Sequence, residues 1–192
     1  MIKITLPDES VKEFENGVTP YEIAKSISEG LARNVLAAKV NGAIVALNYA
    51  ISEDATVKLL TWNDAEGKEV FWHSSAHLMA AAIKKLYPTA KLGIGPAIEN
   101  GFYYDIDFMD NTISSDDFPA IEAKMLEIAQ SKAQYVRKEV SKKEALDYFT
   151  SIGNEYKVEL INDLEDGTIT FYDTADFVDL CRGPHLFDTA SI

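Results

Sequence analysis

The ten residues Ala37-Ala38-Lys39-Val40-Asn41-Gly42-Ala43-Ile44-Val45-Ala46 decide the fold of the first part of the chain. Two short apolar runs flank the dipeptide Asn41-Gly42. Asn-Gly is typical of two-residue hairpin turns, because both residues tolerate the positive φ angles that such turns require. The stretch therefore predicts two antiparallel strands that are joined by a tight turn.

The sequence on either side predicts three more strands and one helix. Residues 2–6 alternate apolar and polar side chains like a half-buried strand, residues 11–14 return after a turn, and residues 56–61 form the last strand. The sequence Thr19-Pro20-Tyr21-Glu22 begins a helix that we expect to end near Gly30, because it combines a capping box with proline at the first helical position. Hairpin, helix, hairpin and strand together predict a β-grasp, ubiquitin-like domain over residues 1–62. No motif in it indicates a site, which is typical of a docking or spacer module.

Residues 63–192 predict a mixed α+β domain, so the fold class of the chain is α+β. Residues 62–68 are polar and predict the domain boundary. Three helices are expected: one from about Val70 to Leu86, one that begins at Ser114, and one from Ser141 to about Phe149. Three strands are expected at Val158–Ile161, Thr168–Tyr172 and Phe177–Cys181.

Composition and charge restrict the possible functions. The chain has 192 residues, 47% of them hydrophobic, and only one cysteine, which excludes an internal disulfide and is typical of a reducing compartment. No apolar run reaches 18 residues and MIKITLPDES has no signal-peptide core, so we expect a cytoplasmic protein without a membrane partner. The net charge is −13, with 12 Lys and Arg against 23 Asp and Glu in residues 63–192. Such a domain cannot hold nucleic acid tightly through phosphate contacts alone.

All three histidines and the only cysteine fall into two four-spaced pairs, His73/His77 and Cys181/His185. Inside a helical pattern, the first spacing places both imidazoles on one face. Zinc proteases use this spacing with glutamate after the first histidine, and here that position is Ser74, so their general base is absent. Gly183-Pro184 prevents a helix through the second pair and predicts the end of a strand followed by a loop.

Four interpretations of these pairs remain open from the residues themselves. The four side chains could bind Zn²⁺ tetrahedrally. They could hydrolyse a substrate without metal, with a histidine activating water and its neighbours stabilising the oxyanion. The histidines could be structural, although the polar neighbours Ser74, Asp179 and Arg182 do not suit an apolar core. A Cys–His nucleophile is the fourth possibility, but no orienting motif surrounds Cys181.

Three segments together resemble a known family: Phe71–Leu78 (FWHSSAHL), Gly95–Asp105 (GPAIENGFYYD) and Asp179–His185 (DLCRGPH). They look like the N-terminal half of bacterial threonyl-tRNA synthetases, a class II family of aminoacyl-tRNA synthetases. Residues 1–62 are similar to its TGS domain and about 63–192 to its editing domain. Alanyl-type editing domains share both four-spaced pairs, but they lack the TGS domain and usually have Gly-Gly-Thr where this chain has Arg182-Gly183-Pro184.

This resemblance implies proofreading, in which an aminoacyl-tRNA ester hydrolase removes serine from mischarged tRNA(Thr). A missing methyl group supports only about 10–200-fold discrimination in binding, so serine escapes the first selection and needs a second one. The resemblance assigns water activation and ribose contact to His73 and His185, and binding of charge near the ester or the terminal adenosine to Lys157. It assigns the serine pocket to His77, Asp179 and Cys181.

The resemblance also sets the expected cofactors and partners. We expect editing without metal, with Zn²⁺ at His73, His77, Cys181 and His185 as the second possibility; ATP and Zn²⁺ are expected only for an aminoacylation domain, whose motifs this sequence lacks. The expected partners are the 3′ end of tRNA(Thr) carrying serine and the rest of the synthetase, with a homodimer as the full-length form. We expect the editing domain to be truncated at its C-terminus. A free-standing deacylase and an inactive RNA-binding regulatory module are the alternatives.

Overall fold

The computed structural model describes all 192 residues, which divide into two compact units. The first contains residues 1–71 and the second residues 72–183, and short pieces of residues 184–192 are assigned to each. No helix in the structure combines the length and the apolar composition that a bilayer crossing needs.

The first unit is a five-stranded sheet with two helices. Its strands are β1 (Ile2–Thr5), β2 (Val11–Phe14), β3 (Val35–Val40), β4 (Ala43–Val45) and β5 (Ala55–Thr61), and its helices are α1 (Pro20–Ile27) and α2 (Glu29–Asn34). The sheet order is β2-β1-β5-β3-β4, with β1 and β5 parallel and the other pairs antiparallel. Ile23 of α1 packs with Ile4 and Val57 of the sheet in one apolar core. This arrangement confirms the predicted β-grasp fold.

Local sequence signals explain these elements. The Thr19 side chain accepts from the Glu22 N–H while the Glu22 carboxylate accepts from the Thr19 N–H, so α1 begins with the predicted capping box. Asn41 and Gly42 form the predicted hairpin turn with φ angles of 47° and 88°. The end of the helix is predicted incorrectly, because α1 stops at Ile27 and the Ser28 side chain caps the separate helix α2.

The second unit is a mixed α+β structure. Its helices are α3 (Ala65–Leu86, which begins in the first unit), α4 (Phe118–Gln130), α5 (Lys142–Ser151) and α6 (Glu155–Asn162). Short ribbons are formed by β6 (Lys91–Leu92) with β9 (Ile106–Asp107) and by β7 (Ala97–Ile98) with β8 (Gly101–Phe102). An antiparallel sheet of order β10-β11-β12 is formed by β10 (Val136–Glu139), β11 (Thr170–Thr174) and β12 (Phe177–Leu180). The alternation of helices and strands confirms the α+β class.

Two helices of the second unit differ from the sequence prediction. Val158–Ile161 is not a strand but part of α6, which the Asn154 side chain caps and whose Lys157 and Ile161 are buried four residues apart on one face. The β-branched pair suggested a strand, and the capped helix with its buried face overrides that preference. Helix α3 begins at Ala65 rather than near Val70. Its first turn includes Gly67, where a Cβ would run into the backbone carbonyl of Thr61.

Candidate active site

Helix α3 presents His73 and His77 on one face, as their spacing predicts. The two ring centroids lie 5.2 Å apart and the ring planes are nearly perpendicular, at 87°. The His77 side chain is buried, and its ring also packs edge-on against Phe177 of β12. The Tyr135 hydroxyl donates a 2.8 Å hydrogen bond to the backbone carbonyl of Ser74, which ties this turn of α3 to the segment before β10.

The end of β12 positions Cys181, which directly follows the strand and begins the predicted loop. Its N–H donates to the Thr170 carbonyl at 3.1 Å, and its own carbonyl accepts from the Thr170 hydroxyl. Its Sγ accepts from the Gly183 N–H at 3.2 Å and lies 3.3 Å from Nε2 of His73. The thiol is therefore held in contact with the first histidine of α3.

The loop after Cys181 requires glycine at position 183. Its φ angle is 69°, and a Cβ at this position would run into the ring of Tyr172. Only glycine combines this conformation with so close an approach to the aromatic ring.

The four members of the two sequence pairs come together. The ligand atoms of His73, His77, Cys181 and His185 all lie within 4.8 Å of one another. Tetrahedral Zn²⁺ with nitrogen and sulfur ligands places its ligand atoms roughly 3.3–3.8 Å apart. The set therefore fits a zinc ion in donor type, and its more widely separated atoms would have to move closer together to bind one.

Lys157 and Asp179 form a buried ion pair beside the histidines. Nζ of Lys157 lies 2.7 Å from Oδ1 of Asp179, and each side chain is only 3% exposed. Lys157 lies within α6 and Asp179 within β12, so a helix and a strand position the two charges. Lysine and aspartate are almost never buried this deeply unless they are paired.

Tyr104 belongs to the same network, and no prediction assigned it a role. Its hydroxyl donates to Oδ2 of Asp179, and the Lys157 ammonium lies 5.9 Å from its ring centroid. A Cβ on Gly95 would run into its ring, so Gly95 lets the backbone approach the aromatic face. The sequence of Gly95–Asp105 contributes to the family resemblance, and only the folded structure shows its contact with the site through Tyr104.

The protonation states follow from burial and from neighbouring charges. Burial lowers the pKa of His77 to about 3, against a smaller opposite effect of Asp179, whose Oδ2 lies 3.5 Å from Nε2 of His77. Burial by itself would raise the pKa of Asp179, but the Lys157 ammonium and the hydrogen bonds of the network hold it below its usual value. At neutral pH the imidazole of His77 is therefore neutral and the carboxylate of Asp179 is ionised.

The thiol of Cys181 is not activated. Burial raises its pKa to about 12, although the hydrogen bond from the Gly183 N–H lowers it somewhat. Because the thiolate is the nucleophilic form, this environment argues against Cys181 as a nucleophile.

A cleft of about 210 Å³ opens beside Cys181, Arg182 and Lys157. The rest of its wall is largely aliphatic and includes Ile94, Leu160, Leu164, Ile169 and Leu180. A mostly apolar cleft with a few polar groups at one end is typical of a site for a small ligand or for one part of a larger one.

Comparison with known proteins identifies the relatives of this chain. Residues 2–61 match the TGS domain family. Over all 192 residues the chain is 62% identical to the threonine–tRNA ligase of Cytophaga hutchinsonii, and it covers 30% of that protein. The chain is a relative of the threonine–tRNA ligases. The enzymes of Parabacteroides distasonis, 58% identical over 99% of this chain, and of Flavobacterium psychrophilum, 54% identical over all of it, are each covered to 29%.

These relatives confirm the resemblance to threonyl-tRNA synthetases that the three sequence segments indicate, as well as the TGS domain. The chain spans about 30% of the length of the threonine–tRNA ligases it matches. The domain limits 1–62 and 63–192 and the roles of the individual site residues stay predictions.

Proposed function

We propose that residues 63–192 hydrolyse the ester that links serine to mischarged tRNA(Thr), and that residues 1–62 form the TGS domain that precedes this editing domain. The observation that carries the proposal is the cluster of His73, His77, Cys181 and His185 beside a buried Lys157–Asp179 pair. It lies in a chain whose relatives are threonine–tRNA ligases. Such enzymes face a selectivity problem, because serine lacks only one methyl group of threonine and binding alone discriminates about 10–200-fold.

In the proposed mechanism, His73 and His185 activate a water molecule. Imidazole is the side chain whose ordinary pKa suits proton transfer near pH 7. Water transfers a proton to the imidazole as its oxygen attacks the ester carbonyl, and the bond to the ribose oxygen then breaks as that oxygen takes the proton back. The oxyanion of the tetrahedral intermediate needs a positive charge or hydrogen-bond donors nearby, and Lys157 is the cation of this network.

The pocket for the amino acid is assigned to His77, Cys181 and Asp179. A neutral imidazole, a neutral thiol and one ionised carboxylate can surround a small polar side chain without a further buried charge. In a close-packed wall, the additional methyl group of threonine would meet side chains that have little freedom to move. The site thereby excludes the correct amino acid by size.

Zn²⁺ is the second candidate for this site, and a specific contact favours it. The carboxylate of Asp179 faces Nε2 of His77, and a carboxylate behind a histidine is the usual orienting partner of metal-bound imidazole. We favour the metal-free mechanism because catalytic zinc keeps three protein ligands and an open position, whereas four ligands would close it to water. ATP and another Zn²⁺ are assigned only to aminoacylation in the complete enzyme.

The proposed partners are the serine-bearing 3′ end of tRNA(Thr) and the remainder of the synthetase, whose full-length form we propose to be a homodimer. With a net charge of −13, residues 1–192 should bind tRNA weakly by themselves. A free-standing deacylase would act efficiently without the rest of the enzyme, and an inactive regulatory module would bind RNA without hydrolysis.

The test measures deacylation of seryl-tRNA(Thr) and threonyl-tRNA(Thr). We expect hydrolysis of the seryl ester only, and a loss of about 10²–10⁴-fold in the double variant His73→Ala/His185→Ala, because both proposed proton carriers are removed. Lys143→Ala, on the exposed face of α5, is the control and should keep full activity. Equal hydrolysis of both esters, or an active double variant, would contradict the proposal. Loss of activity on chelation with recovery on adding Zn²⁺ would establish the zinc mechanism instead.

A further inference from the structure

Residues 132–143 are a basic segment in an acidic protein. They contain five of the 18 Lys and Arg residues of the chain and one acidic residue, Glu139, although residues 63–192 carry a net charge of −11. The basic residues are Lys132, Arg137, Lys138, Lys142 and Lys143. A local reversal of charge is notable in a protein whose proposed substrate is a polyanion, because phosphate contacts dominate the affinity for nucleic acid.

The sheet register places one of these cations on the same face as the site. Arg137 of β10 is paired with Tyr172 of β11, and Tyr172 is paired with Asp179 of β12. Directly paired residues of antiparallel strands point to the same face, so these three side chains form a row. With neighbouring strands 4.7–4.9 Å apart, about 10 Å separates the backbones of Arg137 and Asp179.

The end of this row reaches the loop that carries Cys181. The Tyr172 ring lies against Gly183, as described above. Burial, together with the Cys181 thiol, raises the pKa of Tyr172 to about 12, and the Arg137 guanidinium opposes this rise. The electrostatic effect of the Arg137 guanidinium on Tyr172 agrees with their direct pairing across β10 and β11.

Arg137 is also accessible. It lies on β10, an edge strand of the sheet, and its side chain is 48% exposed. Its only ion pair, at 2.9 Å, is with Glu139, whose side chain is 75% exposed. An exposed pair of this kind contributes little to stability, so a phosphate group can replace Glu139 as the partner.

Three other cations of the segment are less suited to this role. Lys138 is paired with Phe171, which packs on Phe149 of α5, and so it points to the opposite face of the sheet. The Lys142 ammonium donates to the carbonyls of Asn162 and Leu164. Lys143 pairs with Asp147 along α5.

We propose that Arg137 binds the phosphodiester that joins the terminal adenosine of the mischarged tRNA to the preceding nucleotide. The proposal rests on the proposed function. The ester and this phosphate are attached to the same ribose, so an ester held at His73 and Cys181 must leave its phosphate a short distance away. Guanidinium is well suited to this partner, because its planar fork can donate two parallel hydrogen bonds to phosphate oxygens. Arg137 would thus orient the end of the chain as it leaves the site along the open edge of the sheet.

The experiment compares two substrates that differ in phosphate. Seryl-tRNA(Thr) contains the phosphodiester, and 2′(3′)-O-seryl-adenosine does not. In the variant Arg137→Gln we expect KM for seryl-tRNA(Thr) to rise roughly tenfold with little change in kcat, because an interaction common to ground state and transition state is lost. On seryl-adenosine, which lacks this phosphate, the variant and the wild type should have nearly the same kcat/KM. The dependence of log KM on log salt concentration should also become weaker by about 0.7, the contribution of one phosphate contact on a single strand.

Lys143→Gln is the matched control, since it removes one positive charge from the same segment at a position paired along α5. It should leave both reactions and the salt dependence as in the wild type, and urea unfolding should show that both variants are folded. An equal loss on both substrates, no loss on tRNA, or an equal effect of Lys143→Gln would overturn the assignment of Arg137. A wild-type protein that hydrolyses neither substrate would instead overturn the proposed function, and the assignment with it.

Discussion

Residues 1–71 and residues 72–183 bury different kinds of side chain. Every buried residue up to position 71 is apolar, whereas buried serine, histidine, asparagine, lysine, threonine and aspartate residues all occur from position 74 onward. Burial of polar groups costs free energy unless each finds a partner. The buried side chains of the first region therefore need no role beyond stabilising the fold. The second region buries a polar network that the stability of the fold does not require.

The ion pairs of the two regions make the same contrast. Lys58 and Asp64 lie 2.6 Å apart with side chains that are 50% and 19% exposed. Lys157 and Asp179 lie at nearly the same distance, 2.7 Å, with both side chains 3% exposed. The two ion pairs have nearly the same length but different burial, so loss of the lysine should lower the free energy of unfolding by different amounts.

The largest effect is expected from Lys157→Met. This change leaves the Asp179 carboxylate buried without its cation, which should lower the free energy of unfolding by about 3–5 kcal/mol. Lys58→Met should cost less than about 1 kcal/mol, because water can solvate the remaining charge. Urea unfolding followed by circular dichroism measures both values.

A double variant distinguishes the cost of leaving a charge unpaired from the cost of losing packing contacts. Lys157→Met combined with Asp179→Leu should recover much of the stability, because no buried charge remains. Similar losses from Lys157→Met and Lys58→Met would contradict the distinction between the two regions.

The next largest effect is expected from alanine substitutions at two glycines with positive φ angles. Gly183→Ala should cost about 2–4 kcal/mol, because it adds backbone strain and also forces a Cβ into Tyr172. Gly42→Ala should cost only about 1 kcal/mol, since its φ angle is 88° but no atom lies within 4 Å of the added Cβ. Thermal unfolding of the two variants tests the difference, and equal costs would show that the ring contact contributes nothing.

Acid should lower the stability of residues 72–183, because His77 is buried in its neutral form. Its pKa is about 3 in the folded protein and 6.5 by default, so below pH 6.5 the unfolded chain binds a proton that the folded chain does not. The contribution of this side chain should therefore fall by about 2 kcal/mol between pH 7 and pH 5. Residues 1–71 contain no histidine and should not share this dependence.

The variant His77→Asn isolates the effect, because it keeps a polar side chain that does not titrate. The slope of unfolding free energy against pH between 7 and 5 should be smaller in the variant than in the wild type. Identical slopes would show that folding does not lower the pKa of His77.

The smallest effect is expected to be the same in both regions. Thr19 caps α1 and Ser141 caps α5, and each forms a reciprocal capping box with a glutamate three residues later. Thr19→Ala and Ser141→Ala should each cost about 1 kcal/mol, because both caps are local and exposed. Costs that differ by more than about 1 kcal/mol in thermal unfolding would mean that even local interactions depend on the region.

The sequence predicts best what is determined locally. The Asn41-Gly42 turn, the capping box at Thr19 and the helical spacing of His73 and His77 are short-range signals, and the structure contains all of them. The strand expected at Val158–Ile161 is wrong because a four-residue segment with two β-branched residues suits either element, and burial against the rest of the fold decides for the helix.

Local sequence signals do not predict the contacts within the site. The spacings grouped the histidines and the cysteine, but nothing in the sequence indicates that Lys157 and Asp179 pair or that Tyr104 donates to the same carboxylate. These partners are 22 and 75 positions apart, so only the tertiary fold brings them together.

The contact between His73 and Cys181 also determines when the site can exist. The two residues are 108 positions apart, so the contact closes a long loop, and such contacts form late because the chain must first lose much of its conformational entropy. On a ribosome that adds about 5–20 residues per second, the helix with His73 is made roughly 5–20 s before Cys181. During that interval the nascent chain holds half of the cluster and cannot complete it. The order of synthesis thus keeps this chemistry absent until the second unit has been made almost to its end.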